Sequence, residues 1–452
     1  MSKRPRLLRS QQKLIGPFNV VNPDAAGIDA GSEKHFVSVP EDRSDEPVRT
    51  FGTFTEDLYG LADWLVECRI KTVAIEATGV YWIPLFEVLE ARGLEVKLVD
   101  SRSIGRRNKK TDVLDCQRIR QLHTYGLLDG AFRPSDQILP LRAYMRQRRM
   151  LIDYAADHIR HMQKALDLMN LKLHTVIADI TGETGLRIIH AILKGNHDPN
   201  ALAAMRDPRC KNPVHVIARA LVGNYRDEHL FALRQAVDLF ETYQARIAEC
   251  DRQLATELAS FEKKADPSNL DKKNPKRPRK NQPRFEARTL LYQMTGVDLT
   301  AVPGLESSTI LTILSETGTD MSPWPSEDHF ASWLALPPNK PRTGGKVIKK
   351  ALPTIQPNRA SQAFRLAAQT LAKTQCSLGA FFRRIQSRLG WAGAIKATAR
   401  KLAVIFYAMM KKKTPYREAG ADHYEKRYQA RLLKSLSAKA LSLGYQLAPI
   451  MS

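Results

Sequence analysis

The sequence predicts an α/β N-terminal domain, followed by a helical, coiled-coil-like region and a mainly α C-terminal domain. Three observations carry this. Short apolar runs alternate with helical periodicity up to about residue 130, strand signals vanish between about 141 and 262, and a proline-rich charged segment at 263–288 precedes a second globular region. At about 150 residues per domain, 452 residues correspond to roughly three domains.

Residues 1–23 read as a basic arm. In the domain at 24–130, residues 25–40 (AAGIDAGSEKHFVSVP) predict a strand, a glycine turn and a second strand, and TVAIE at 72–76 and LEVKLV at 94–99 predict two more. Helices are expected at 56–68, 83–92 and 111–128. Farther on, the series Leu230, Leu233, Val237, Phe240, Gln244, Ile247, Asp251, Leu254, Leu258, Phe261 advances in steps of three and four, and all but two of its members are apolar. That spacing makes a helical seam, which fits a core stripe in an intramolecular hairpin and a dimer interface equally well. Residues 263–288 carry four prolines and almost nothing apolar, which predicts a flexible basic linker. A C-terminal domain follows at 289–414, with a Gly/Pro-rich loop at 337–346, and a basic helical tail at 415–452.

Composition then narrows the function. Lys and Arg number 70 against 47 Asp and Glu, a net charge of +23. The excess sits in three places: residues 1–16 have five basic and no acidic residues, 263–288 ten and three, and 383–452 fifteen and three. Separate basic segments on a chain whose remainder sums to about zero point to a polyanion. Nucleic acid fits better than a membrane, because nothing approaches the ~20 consecutive apolar residues of a span and no lipid-anchoring helix accompanies the charge. The basic N-terminus lacks the apolar core of a secretion signal, so a cytoplasmic, nucleoid-associated protein is expected. Five widely spaced cysteines without a C-x-x-C pair suggest neither disulfides nor a zinc site. The eleven histidines show no paired metal spacing either.

The chemistry lies in four carboxylates. Asp29 ends the first strand in GIDAG, and Glu76 ends TVAIE. Asp112 and Asp115, three apart in KTDVLDCQRIRQL, project from one face of a helix. Singly, each is most simply a surface charge. Together they are four hard oxygen ligands on three elements of one α/β domain, a set suited to Mg²⁺, and two such ions can stabilise the attacking and leaving oxygens of a phosphodiester. Lys109 and Lys110, beside them in sequence, are either phosphate contacts or solvated loop residues.

In order, GIDAG, IEATGVYW and KTDVLD resemble the DEDD transposases of the IS110/IS1111 group. The second half resembles them too, in LTAVPGLESSTILTILSETG (299–318), WPSEDHFASWLAL (324–336), RTGGK (342–346) and RLAAQTLAKTQCSLGAFFRRI. This resemblance covers roughly 25–130 and 290–410. It implies a RuvC/RNase H-like N-terminal domain with Asp29, Glu76, Asp112 and Asp115 holding two Mg²⁺ ions, and an IS116/IS110/IS902-type C-terminal domain. It further implies DNA as substrate, a structured non-coding guide RNA and a homo-oligomer, dimer or tetramer. Family members carry a nucleophilic serine before the Gly-Gly of the loop, and here that position is Thr343. Threonine offers the same hydroxyl with a stiffer χ1 and an added methyl. Ser307 and Ser308 are the other nearby hydroxyls. Gly344, Gly345 and Lys346 would let the loop meet phosphate, though a plain turn explains the glycines as well.

Three functions of different class follow: a transposase with a hydroxyl nucleophile, a RuvC-type junction resolvase using water on the same carboxylates, and a non-catalytic nucleic-acid-binding protein. The last leaves four acids to repel phosphate with nothing between them.

Overall fold

A computed structural model describes residues 19–77, 79–100, 104, 111–272, 280–337 and 358–448, together with the backbone of Arg342, Thr343, Lys346 and Val347. Lys109, Lys110, Gly344 and Gly345 lie outside the described residues. The chain divides into two compact units, 1–133 and 134–452.

The first unit is built on a five-stranded sheet of order β3-β2-β1-β4-β5. Its strands are β1 (Ala25–Ala30), β2 (His35–Ser38), β3 (Val48–Phe51), β4 (Thr72–Glu76) and β5 (Glu95–Val99). The first three are an antiparallel meander, while β4 and β5 run parallel to β1. Parallel neighbours need crossovers, supplied by α1 (Thr55–Glu67) and α2 (Trp82–Ala91). A further helix, α3 (Asp112–Thr124), follows β5 in the chain. This mixed sheet flanked by helices is the α/β N-terminal domain that the sequence predicts.

Alternation along the strands sorts the two faces. Ala26, Ile28 and Ala30 of β1 join Val73 and Ile75 of β4 in a core with Leu58, Leu61 and Leu65 of α1 and Leu85 and Leu89 of α2. On the opposite face Ala74 and Val99 pack with Ile104, Ile119 of α3 and Leu128. Burial of an aliphatic side chain contributes about 1.5–3 kcal/mol, so both faces are firmly held.

The second unit is helical. Its long helices α4 (Leu139–Leu168) and α9 (Asp227–Ser260) pack antiparallel, since Arg148 pairs with Asp251 while the later Tyr154 meets the earlier Tyr243. Between them come α5 (Leu173–Val176), α6 (Glu183–Leu193), α7 (Pro199–Ala204) and α8 (Val214–Ala220), which share a core with the hairpin. The apolar seam faces α4 within the same chain: Leu233, Val237, Phe240, Ile247, Leu254 and Leu258 are buried. Of the two occupants that the spacing admits, the hairpin partner is the one present. Asp251 stands in the seam because Arg148 binds it there, Nε to Oδ1 at 2.6 Å.

The segment 263–288 is tied down at its described ends. Lys264 N–H donates to Gln293 O at 2.7 Å, Lys280 Nζ contacts Asp179 at 3.0 Å, and Arg284 N–H donates to Asp251 Oδ2 at 3.2 Å. Charge pairing and backbone hydrogen bonds hold these stretches where apolar packing is missing. Beyond them lie α10 (Ala287–Thr295), α11 (Ser307–Thr317), α12 (Glu327–Trp333), the paired strands β6 (Arg342–Thr343) and β7 (Lys346–Val347), α13 (Arg359–Thr370), α14 (Ser377–Lys412) and α15 (Ala421–Ser442). Phe330, Phe364 and Phe406, fully buried, join α12, α13 and α14, with ring centroids 5.6–6.4 Å apart. Among the described residues, no helix is long and apolar enough to cross a membrane.

Candidate functional site

The site is set by strand register. Ile28 of β1 pairs with Ile75 of β4, so the next residues, Asp29 and Glu76, leave two adjacent parallel strands at the same carboxyl edge. That edge is where ligand sites of parallel sheets collect. Asp29 shares a face of β1 with Gly27, and Glu76 shares a face of β4 with Ala74. Ala74 packs with Ile119 of α3. Both acids therefore project on the face that α3 covers, and both are half-buried.

Helix α3 runs antiparallel to β1. Near its end, His123 Nε2 is 2.9 Å from Thr72 Oγ1 at the start of β4, and Thr124 O accepts from Val21 and Asn22 N–H, ahead of β1. One turn earlier, Arg120 Nε donates to Ser38 Oγ at 3.1 Å, level with Gly27, the register partner of Ser38. A turn earlier again, Cys116 lies against Gly27 and near Asp29. A β-carbon on Gly27 would stand 2.5 Å from Cys116 O, and the Cys116 thiol is pushed up to about 12, by burial first and by the Asp29 charge second. Asp112 is one more turn along. Four helical residues rise about 6 Å and two strand residues about 6.6 Å, so Asp112 comes out level with Asp29. The fold thus brings the first turn of α3 to the edge where Asp29 and Glu76 stand.

Local sequence fixes that turn. Thr111 caps the helix, its Oγ1 accepting from Leu114 N–H at 3.3 Å, and Asp112 and Asp115 complement the positive end of the helix dipole. That explains two acids in a first turn at about 0.3–1 kcal/mol each. It does not explain why the turn is set beside two further acids. Asp112 is exposed and Asp115 half-buried. The donor set fits a hard divalent cation, whereas the distances are not closed: among the described residues, no group of three or more His, Cys, Asp or Glu is assembled to hold a metal.

In the second unit, Thr343 lies in β6 opposite Lys346 of β7. Ser307 and Ser308 begin α11, the helix after the turn at Gly304, whose φ is +87°. Ile310, Leu311 and Leu314 seat that helix in the core, in keeping with a packing element. Sequence reasoning missed how far forward the basic C-terminal run extends. Its signal is compositional: from His329 to Arg417 there are eighteen Lys and Arg and not one Asp or Glu.

A comparison with curated proteins returned no match. Two family models do match, in the order that the motifs imply. Residues 26–171 match a transposase model, the DEDD transposases of IS110 type, and residues 298–383 match the transposase IS116/IS110/IS902 family. The first spans the whole sheet edge with its four acids, and the second spans Thr343 and α13. With its α/β domain, its helical remainder and both halves matched in order, the chain belongs to the IS110 family of transposases.

Proposed function

We propose that this insertion-sequence transposase cleaves and exchanges DNA strands with divalent metal on Asp29, Glu76, Asp112 and Asp115 and with the Thr343 hydroxyl as nucleophile. The observation that supports it most is the antiparallel seat of α3 on β1, which sets two acids of a helix start level with two at strand ends. A divalent cation would draw these oxygen ligands together, and Asp112, exposed at the helix start, can swing toward Asp29 at little cost. Mg²⁺ is the natural occupant of such an oxygen set, with room in the chemistry for two ions, and when bound it would supply charge stabilisation to the phosphodiester.

The residues of the chain have the following roles. Thr343 Oγ loses its proton and attacks phosphorus, the P–O bond to the leaving strand breaks, and that strand departs with a hydroxyl end. The DNA is then held as a threonyl phosphodiester, which keeps the bond energy for the reverse attack by a strand end of another duplex. Thr343 stands where resemblance implies a serine, so its β-methyl is a steric burden on the same reaction. Exchange between duplexes uses several such sites, which supports a homo-oligomer with Thr343 of one protomer serving its own or a neighbour's acids. Lys109, Lys110, Gly344, Gly345 and Lys346 are proposed as phosphate contacts. The basic segments at 263–288 and after 415 suit a structured guide RNA, and the expected setting is the nucleoid in the cytoplasm.

Incubation with a four-way DNA junction and Mg²⁺, resolved on a denaturing gel before and after proteolysis, tests this. The expected product is a slow band that collapses on proteolysis and is missing from Thr343→Ala. Cleavage without such a band would favour the resolvase, with water as the nucleophile.

A further inference from the structure

The tail helix α15 is fastened to α14 along its first turns. Ser377 N–H, at the start of α14, donates to Glu418 Oε1 at 2.9 Å, and Tyr416 Oη donates to Glu418 Oε2 at 2.7 Å. Farther along, the Tyr424 ring meets Phe381 edge-on, with centroids 6.3 Å apart. Arg384 then pairs with Glu425, and its guanidinium carbon lies 3.2 Å from the Tyr428 ring centroid. Both stretches of chain advance together through these contacts, so α15 runs parallel to the first half of α14. An arginine gripped by a carboxylate and an aromatic face is a firm anchor.

That half of α14 ends at Gly390, whose φ of +72° breaks the helix. The second half folds back along the first, since Lys401 Nζ stands 6.0 Å from the Phe381 ring centroid. Both helices rise about 1.5 Å per residue, so Leu432 comes level with the last turn before Gly390 and Leu436 with the reversal itself. From there α15 has outrun its support, and none of its residues is buried. Leu432, Leu436 and Ala440, one turn apart in succession, lie on one face with Leu433 beside them, while Arg427, Arg431 and Lys434 take the opposite face. At the reversal, Leu389 and Trp391 add to the apolar surface, the Trp391 ring being held edge-on against Phe382 with centroids 5.2 Å apart. Leu389, Trp391, Leu432, Leu433, Leu436 and Leu443 are 43–74% exposed.

We propose that this end of the molecule is a dimerisation surface, on which α15 of a second copy of the chain lays its own leucine face. The six side chains offer on the order of 600 Å² per chain, so that two copies would bury about 1,200 Å² in all, the lower bound of a specific and stable interface. Charge placement excludes other occupants. Nucleic acid or an acidic partner would be drawn by cations at the contact, and Arg427, Arg431 and Lys434 stand on the far side of the helix. Two copies can close their apolar faces by a two-fold axis and leave these cations in water, where they remain open to a polyanion. The interface does not rest on the metal or Thr343 chemistry proposed above, and its test needs neither DNA nor metal.

Sedimentation velocity of the full chain, over a concentration series into the micromolar range and at low and high salt, reads the association. The unaltered chain should dimerise at both salt concentrations, and Leu432→Glu with Leu436→Glu should raise the dimer Kd roughly a hundredfold or more. Both leucines are exposed within the chain, and circular dichroism checks that the variant keeps its fold. A bismaleimide should cross-link Leu436→Cys into dimers and leave Lys434→Cys, on the opposite face, monomeric. A monomeric unaltered chain, an equally tight dimer in the double variant, or cross-linking that does not favour position 436 would each overturn the interface. So would a monomeric chain whose tail binds phosphatidylserine vesicles, which would give the leucine face to a lipid surface instead.

Discussion

Gly27 of β1 lies so close to Arg120 of α3 that a β-carbon on it would stand 2.2 Å from the Arg120 backbone nitrogen. The neighbours are helix backbone, which cannot yield as a flexible side chain would. Gly27→Ala should therefore lift α3 from the sheet and destabilise the first unit by roughly 1–3 kcal/mol or more. Hydrogen exchange should show the α3 amides opening first, and divalent-ion affinity should fall with them. Full protection of α3 in Gly27→Ala would mean that the close approach does not position this helix.

The other end of α3 makes the same seat sensitive to pH. His123 is 3% exposed and bonded to Thr72, and its imidazole is pushed down from 6.5 to about 4 by burial first and by the Lys97 charge second. The folded state holds it neutral, whereas the unfolded chain protonates it near 6.5. Its contribution is complete above that pH, drains as pH falls, and is gone below about 4, a loss of about 3 kcal/mol at most. Denaturation of the full chain between pH 7 and 4 should show this decline, and His123→Phe should flatten it. An identical decline in the variant would place the titration elsewhere.

Asp251 and Arg148, with side chains 4% and 7% exposed, form a buried pair inside the hairpin of α4 and α9. Asp251→Ala strands the guanidinium and should cost about 3–5 kcal/mol, while Arg148→Met with Asp251→Leu should recover most of it. A double-mutant cycle read by denaturant unfolding checks this. Additive losses would show that the two residues do not act as a unit.

Much of this was legible in the sequence. Strands β1, β2, β4 and β5 and helices α1, α2 and α3 announce themselves by apolar runs and periodicity. Strand β3 does not, because VRTF is short, lies at a half-exposed sheet edge and has no alternation to read. The α9 seam showed which residues would be buried; which surface buries them depends on α4, whose Arg148 lies 103 residues before its partner Asp251, beyond the reach of local periodicity. The four acids were legible as residue types. The seating of α3 beside the sheet edge hangs on Gly27, a residue of the GIDAG motif whose lack of a side chain admits the helix backbone.

The Asp112 carboxylate separates catalysis from binding. Asp112→Asn keeps the first turn of α3 and its Thr111 cap, removes one charge, and should abolish strand cleavage with junction affinity changed by less than about threefold. Cleavage at the rate of the unaltered chain would take Asp112 out of the site.

The most direct test of the four-acid account is a calorimetric titration of Mn²⁺, standing in for Mg²⁺, into the full chain in the presence of junction DNA. The account predicts saturable binding that is lost or weakened at least tenfold in Asp29→Asn and in Asp112→Asn alike, because a strand end and a helix start share the ions. Equal binding in the unaltered chain and both variants would contradict it.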